Sequence, residues 1–194
     1  MKLLEKNILK TEIFNQLDIE KLLKREEEIR ILLLGNPNDL NLLRELAIIL
    51  YHKGDYSKAI KVYKKVIEYK NDKAEGFAFL GHLFYENEEY LKAIKAFEKS
   101  LDIDPDVAFV HFLLGNAYSR VGRIMEAITS YDFAIFLDFD IYKAHIDFAE
   151  KYEKMGLLER ALREYTVAYE IDPRDKKIGE KINTIKKSLE KKVI

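Results

Sequence analysis

The chain has no cysteine. It can form no disulfide and no thiolate metal site, and the absence is compatible with a reducing, cytoplasmic setting. Glycines number 8 and are scattered, so no glycine-rich phosphate loop can be assembled. The 3 prolines, Pro37, Pro105 and Pro173, are far apart, and each follows a stretch with helical patterning. Charge of one sign is also missing. The formal net charge is -1, which gives no overall drive towards nucleic acid or an anionic membrane. Long apolar runs are absent: Ile31 to Leu34 is the longest early one, far below the roughly 18 residues of a membrane span. Glu5, Glu12, Asp18 and the run Glu26 to Glu28 interrupt any secretory h-region.

What is present is apolar and charged residue in regular alternation. The composition is 48% hydrophobic and 35% charged, which favours a folded chain over a disordered one. Between Ala74 and Pro105, Phe77, Leu80, Gly81 and Phe84 recur at helical spacing. Leu91, Ile94, Phe97 and Leu101 do the same in the second half, with Ala93 beside them. Asn87 to Glu89 separate the two stripes, and Asp104-Pro105 ends the second. The unit is a helical hairpin. Neither of its helices can bury its stripe alone, so the hairpin needs neighbours.

The neighbours lie at a fixed interval. Ala59, Ala93, Ala127 and Ala161 are in register, each followed by an aromatic: Tyr63, Phe97, Tyr131 and Tyr165. Ala47, Gly81, Gly115 and Ala149 form a second small-residue row. Pro105 and Pro173 share a slot that Asn71 and Phe139 fill in the other copies. The interval is 34 residues, and the pattern resembles the tetratricopeptide repeat family, whose period is the same. Several slots agree over four copies, so the resemblance is specific from Leu40 to Asp175 and faint before it.

The resemblance implies an all-α, right-handed superhelical solenoid of antiparallel helical hairpins. One domain is expected over 1-194, with repeats at 40-73, 74-107, 108-141 and 142-175. Residues 1-39 read as an atypical capping helix pair: a first helix from Leu3 to Leu17, then a second capped by Asp18 and ending near Gly35. Arg25 stands there in the slot of the alanines. Residues 176-194 read as a capping helix, with Ile178, Ile182, Ile185 and Leu189 on one stripe and lysines elsewhere.

No catalytic constellation is visible. His111 and His145 occupy a packing slot one period apart, matching Phe77 and Leu43. No pair of histidines at i, i+4 stands with an acidic third ligand. The expectation is a non-enzymatic scaffold or adaptor without cofactor or metal. It would bind another protein, as a peptide or amphipathic helix, and not nucleic acid, with no membrane insertion. A self-associating or chaperone-like protein, dimerising through its N-terminal helices, is the alternative.

By the resemblance, residues beside the core stripe of each first helix line a concave groove. They are Arg44, Ile48 and Tyr51 in the first clear repeat; Ala78, His82 and Tyr85 in the second; Phe109, Phe112, Asn116 and Ser119 in the third; and Ile146, Glu150 and Glu153 in the fourth. The expected groove has an exposed apolar and aromatic floor running across the repeats, His82 and Asn116 as polar contacts for a bound backbone, Arg44 towards one end, and Glu150 with Glu153 towards the other. Exposed apolar patches of this kind mark interaction sites.

Overall fold

The computed structural model describes residues 19-69 and 73-191. Its described residues form ten helices and no strand. The expected first helix, Leu3 to Leu17, and the Asp18 cap lie outside them. The chain falls into two compact units, one ending at Phe139 and the other beginning at Asp140.

The first unit contains α1 (Ile19–Gly35), α2 (Leu40–His52), α3 (Tyr56–Tyr69), α4 (Ala74–Glu86), α5 (Tyr90–Ile103), α6 (Ala108–Arg120) and α7 (Ile124–Phe136). Helices α2 and α3, α4 and α5, and α6 and α7 pack as hairpins; α3 then packs on α4, and α5 on α6. The second unit contains α8 (Ile141–Lys154), α9 (Leu158–Ile171) and α10 (Lys176–Glu190). There α8 pairs with α9, and α9 with α10.

Two of the hairpins, α4–α5 and α6–α7, close on contact between a small residue and a ring. A Cβ built on Gly81 would lie 2.6 Å from the Phe97 ring, and one on Gly115 2.6 Å from the Tyr131 ring. Ala93 and Ala127, on the partner helices, are buried. Removing side-chain bulk where two helices cross lets their backbones approach and lets the aromatic fill the gap. Arg25 cannot be such a contact. It points instead at α2, where its Nε and Nη2 donate to the two Glu45 carboxylate oxygens at 2.7 and 2.9 Å. An ion pair thus stands where the other hairpins have an alanine, and α1 is held differently from α3, α5, α7 and α9.

The turns are equally regular. After α2, the Gly54 amide donates to Tyr51 O and the Asp55 amide to Leu50 O, with Gly54 at φ 76°. This helix stop needs a left-handed residue, which glycine adopts without a Cβ clash. The turn after α4 repeats both bonds, from Glu88 to Tyr85 O and from Glu89 to Phe84 O, yet its left-handed residue is Glu88, at φ 63°. Elsewhere an aspartate opens the helix. Asp39 accepts from the amides of Asn41 and Leu42, and Asp175 from those of Lys177 and Ile178, satisfying free donors of the first turn. On α10, Ile178, Ile182 and Ile185 are buried while the lysine faces are exposed.

Glu88 therefore sits in a backbone region that costs an L-residue about 1–2 kcal/mol. Glu88→Gly should stabilise the protein by up to about 1 kcal/mol after the added chain entropy of glycine is discounted. Thermal denaturation followed by circular dichroism reads this as a rise in Tm of a few degrees; an unchanged or lower Tm would show that the turn is not strained.

Candidate partner-binding face

The inner stripe of the first unit comes from α2, α4 and α6, because residues at i, i+3, i+7 and i+10 share one helix face. On α2, Asn41 is exposed and Arg44 and Ile48 are half-buried. Tyr51, expected beside them, is buried, and its hydroxyl shares a 2.9 Å hydrogen bond with His82 Nε2 on α4. The Tyr51 ring also meets the Phe79 edge, with centroids 6.1 Å apart. Phe79, in turn, stands edge-on to Tyr63 at 4.7 Å. Residues of the stripe thus join one repeat to the next.

Several groove expectations are corrected here. His82 and Ala78 are buried, and Glu86 lies 3.3 Å from His82 Nε2. Tyr85 is buried too; its hydroxyl accepts from Arg120 Nε at 3.2 Å and its ring packs on Tyr90. Phe109 and Phe112 are both 0% exposed. The cause is Phe139, which fills the slot where two other repeats carry proline. Its ring lies 5.9 Å from that of Phe109 and 5.3 Å from that of Phe112. Tyr131 packs on Phe112 at 6.3 Å and donates its hydroxyl proton to Asn116 Oδ1 at 2.7 Å. Asn116, expected to contact a bound backbone, is buried in this bond within the fold. Ser119 remains exposed. Of the stripe in this unit, the ends on α2 and α6 stay accessible and the aromatic middle is closed.

In the second unit, Ile146 is half-buried and Glu150 exposed on α8. Glu153 is less available than expected. It accepts from the Tyr165 hydroxyl at 2.9 Å and from Lys181 Nζ at 2.9 and 3.0 Å. Burial and the neighbouring Glu153 carboxylate together push the Tyr165 phenol above its usual range. Sequence reasoning passed over Lys151, one position from Glu150. Its side chain is buried, with Nζ 5.4 Å from the Phe148 ring centroid and 5.5 Å from that of Tyr152. Burial, with Arg160 adding to it, pushes the Lys151 ammonium down to about 7. The repeat register does separate it from the exposed lysines around it, for Lys151 stands in the slot of Ile49, Leu83 and Ala117, all buried. His145 is buried, as its packing slot implies, and its Nδ1 lies 2.7 Å from Glu164 Oε2. Among the described residues no cluster of three or more His, Asp or Glu could hold a metal ion. No helix among them is long and apolar enough to cross a membrane.

The comparisons agree with this architecture. The TPR repeat family profile matches residues 48–87 and 81–122. No curated protein matches by sequence. Among solved structures, MamA superposes with a TM-score of 0.61 at 21% identity, covering 90% of this chain and 93% of that one. A thermophilic TPR protein of Thermus thermophilus gives 0.53 at 22% identity, covering 82% and 88%. YrrB, described as a TPR protein with an unusual peptide-binding site, gives 0.54 at 20% identity, covering 85% of each chain. At such identities the structural likeness speaks for the fold. With the family match over residues 48–122 and the register of the repeats, the fold is that of a tetratricopeptide repeat solenoid.

The burial data reverse the expected behaviour of the two phenylalanines. Phe112→Ala should destabilise the protein by about 3–5 kcal/mol, the cost of a cavity in a packed core, whereas Ser119→Ala, at an exposed position, should change stability by less than about 0.5 kcal/mol. Urea denaturation measures both, and a mild Phe112→Ala would return that ring to the surface.

Proposed function

We propose that this chain is a non-enzymatic protein–protein interaction scaffold that takes up a peptide or an amphipathic helix along the inner stripe of its repeats. The observation that carries the reading is the row Asn41, Arg44 and Ile48 on α2. It presents one cation and one apolar side chain on a helix fixed to its neighbours by buried rings. A preformed surface of this kind loses little conformational entropy on binding. YrrB, with its peptide-binding site, supports the reading as a protein of like fold.

The contacts differ from those of a broad aromatic groove. The closed middle of the first unit leaves Ile48 as an apolar anchor point, Arg44 for a carboxylate, and Ser119 as a neutral polar position. In the second unit, Ile146 and Glu150 offer an apolar side chain beside an acid. Charges at such a surface set the orientation of a ligand and its rate of capture more than they add affinity. Tyr51, Ala78, His82, Tyr85, Phe109, Phe112 and Asn116 act behind this surface, by holding the helices that present it.

Peptides selected from a random library for binding to the full chain test this. Ile48→Asp or Arg44→Glu should weaken the selected peptides about tenfold or more, corresponding to about 1.4 kcal/mol, with the helical circular dichroism unchanged. Binders indifferent to both substitutions would remove the inner stripe of α2 from the site.

A further inference from the structure

Lys151 carries an amine into a place that the other repeats fill with hydrocarbon. Its slot holds Ile49 on α2, Leu83 on α4 and Ala117 on α6, all buried. Lys151 is 2% exposed, as closed off as they are. The Phe148 and Tyr152 rings of its own helix stand beside Nζ, with centroids at 5.4 and 5.5 Å. Helix α9 packs on α8 and brings two ionic groups towards the amine. Arg160, whose guanidinium carbon lies 5.9 Å from the Tyr152 centroid, opposes a positive charge there, and Glu164 favours one. Glu164 is buried and shared, since its Oε2 lies 2.7 Å from Nδ1 of His145, earlier on α8.

We propose that Lys151 is a proton switch in the second unit: a neutral amine lets the α8–α9 hairpin close, and a proton on Nζ loosens it. The neutral side chain packs as the aliphatic residues of its slot do in the other repeats. The protonated one holds a full charge away from water. Two ring faces replace part of its hydration, but a guanidinium repels it and the nearby carboxylate is already engaged by His145. A buried charge so placed is relieved by water or by loss of the proton. Parting α8 from α9 returns Nζ to water, so the open form is the one that keeps the proton. The switch does not depend on the partner-binding role of the inner stripe.

The direction of the pH effect follows from where the proton binds. Burial, with Arg160 adding to it, brings the Lys151 ammonium down to about 7, against about 10.4 for a lysine in water. Between those values the open chain binds the proton and the closed hairpin does not. Stability of the hairpin therefore rises with pH from about 7 to about 10, and it is level below about 7, where both forms are protonated. This linkage makes opening about fifty-fold more favourable at pH 7 than at pH 9. Other large shifts fall outside that window. Burial holds His52 down to about 4, burial and the bond to Glu98 hold Tyr118 up to about 12, and the bond to Asp175 holds Tyr142 up to about 12.

NMR titration of the full chain with labelled lysine Cε reads the proton on Nζ directly. The Lys151 resonance, assigned through the backbone of α8, should titrate with a midpoint near 7; a midpoint near 10, the ordinary lysine value, would overturn the proposal. Urea denaturation at pH 7 and pH 9 then compares the native protein with Lys151→Met and with Lys151→Leu, the residue that fills this slot on α4. The unfolding equilibrium constant of the native protein should rise about fifty-fold from pH 9 to pH 7 relative to either variant. Hydrogen exchange at pH 7 should show the α8 and α9 amides better protected in the variants, with α2 to α5 unchanged. An equal pH response in the native protein and both variants would contradict the switch, as would variants in which α8 and α9 exchange faster.

Discussion

The contact between a small residue on the first helix of a hairpin and a ring on the second is the constraint on which the structure depends. Gly81 lies under Phe97 and Gly115 under Tyr131, each with no room for a methyl group as the rings stand. Ala47 and Ala149 hold the equivalent positions and are fully buried. The close approach fixes the crossing of two helices. That crossing sets where the next helix packs, and within the first unit repetition carries the same geometry from hairpin to hairpin. A dispersed charge pattern on the outside and left-handed turns at the helix ends complete each unit, but neither would position the helices alone.

The hairpins were legible in the sequence because this constraint leaves a period. Alanine and an aromatic four residues apart, recurring at a fixed interval, locate both helices and the turn between them. The groove was not legible to the same degree. Helical spacing identifies which residues share a face, and it set Tyr85, Phe109 and Phe112 on an accessible face where the structure buries all three. It carries no information about what lies over that face. Phe139 was visible as a departure in the proline slot, and the structure shows its consequence: a ring turned onto Phe109 and Phe112. Arg25 was a similar departure, and its effect was to exchange a packing contact for an ion pair with Glu45. Departures from a repeat pattern marked the places where geometry changes, while the kind of change required coordinates.

The same physics shapes the functional reading. Burying Tyr51 and His82 in a hydrogen bond, and Asn116 in another with Tyr131, meets the rule that polar groups taken from water need partners. These residues thereby tie repeats together and are withdrawn from a ligand. Arg44 and Ile48 in the first unit and Glu150 in the second remain accessible on the helices they hold.

A double-mutant cycle at Gly81 and Phe97 tests the small-to-ring contact most directly. Urea denaturation would measure Gly81→Ala in the native background and again with Phe97→Leu. If the contact governs hairpin closure, the added methyl destabilises the native protein by about 1–3 kcal/mol through overpacking, and the penalty shrinks or vanishes once the ring is gone. The two changes would then be coupled by at least about 0.5 kcal/mol. Equal costs for Gly81→Ala in both backgrounds would show that the two residues act independently, and the account of how the helices are set would fail.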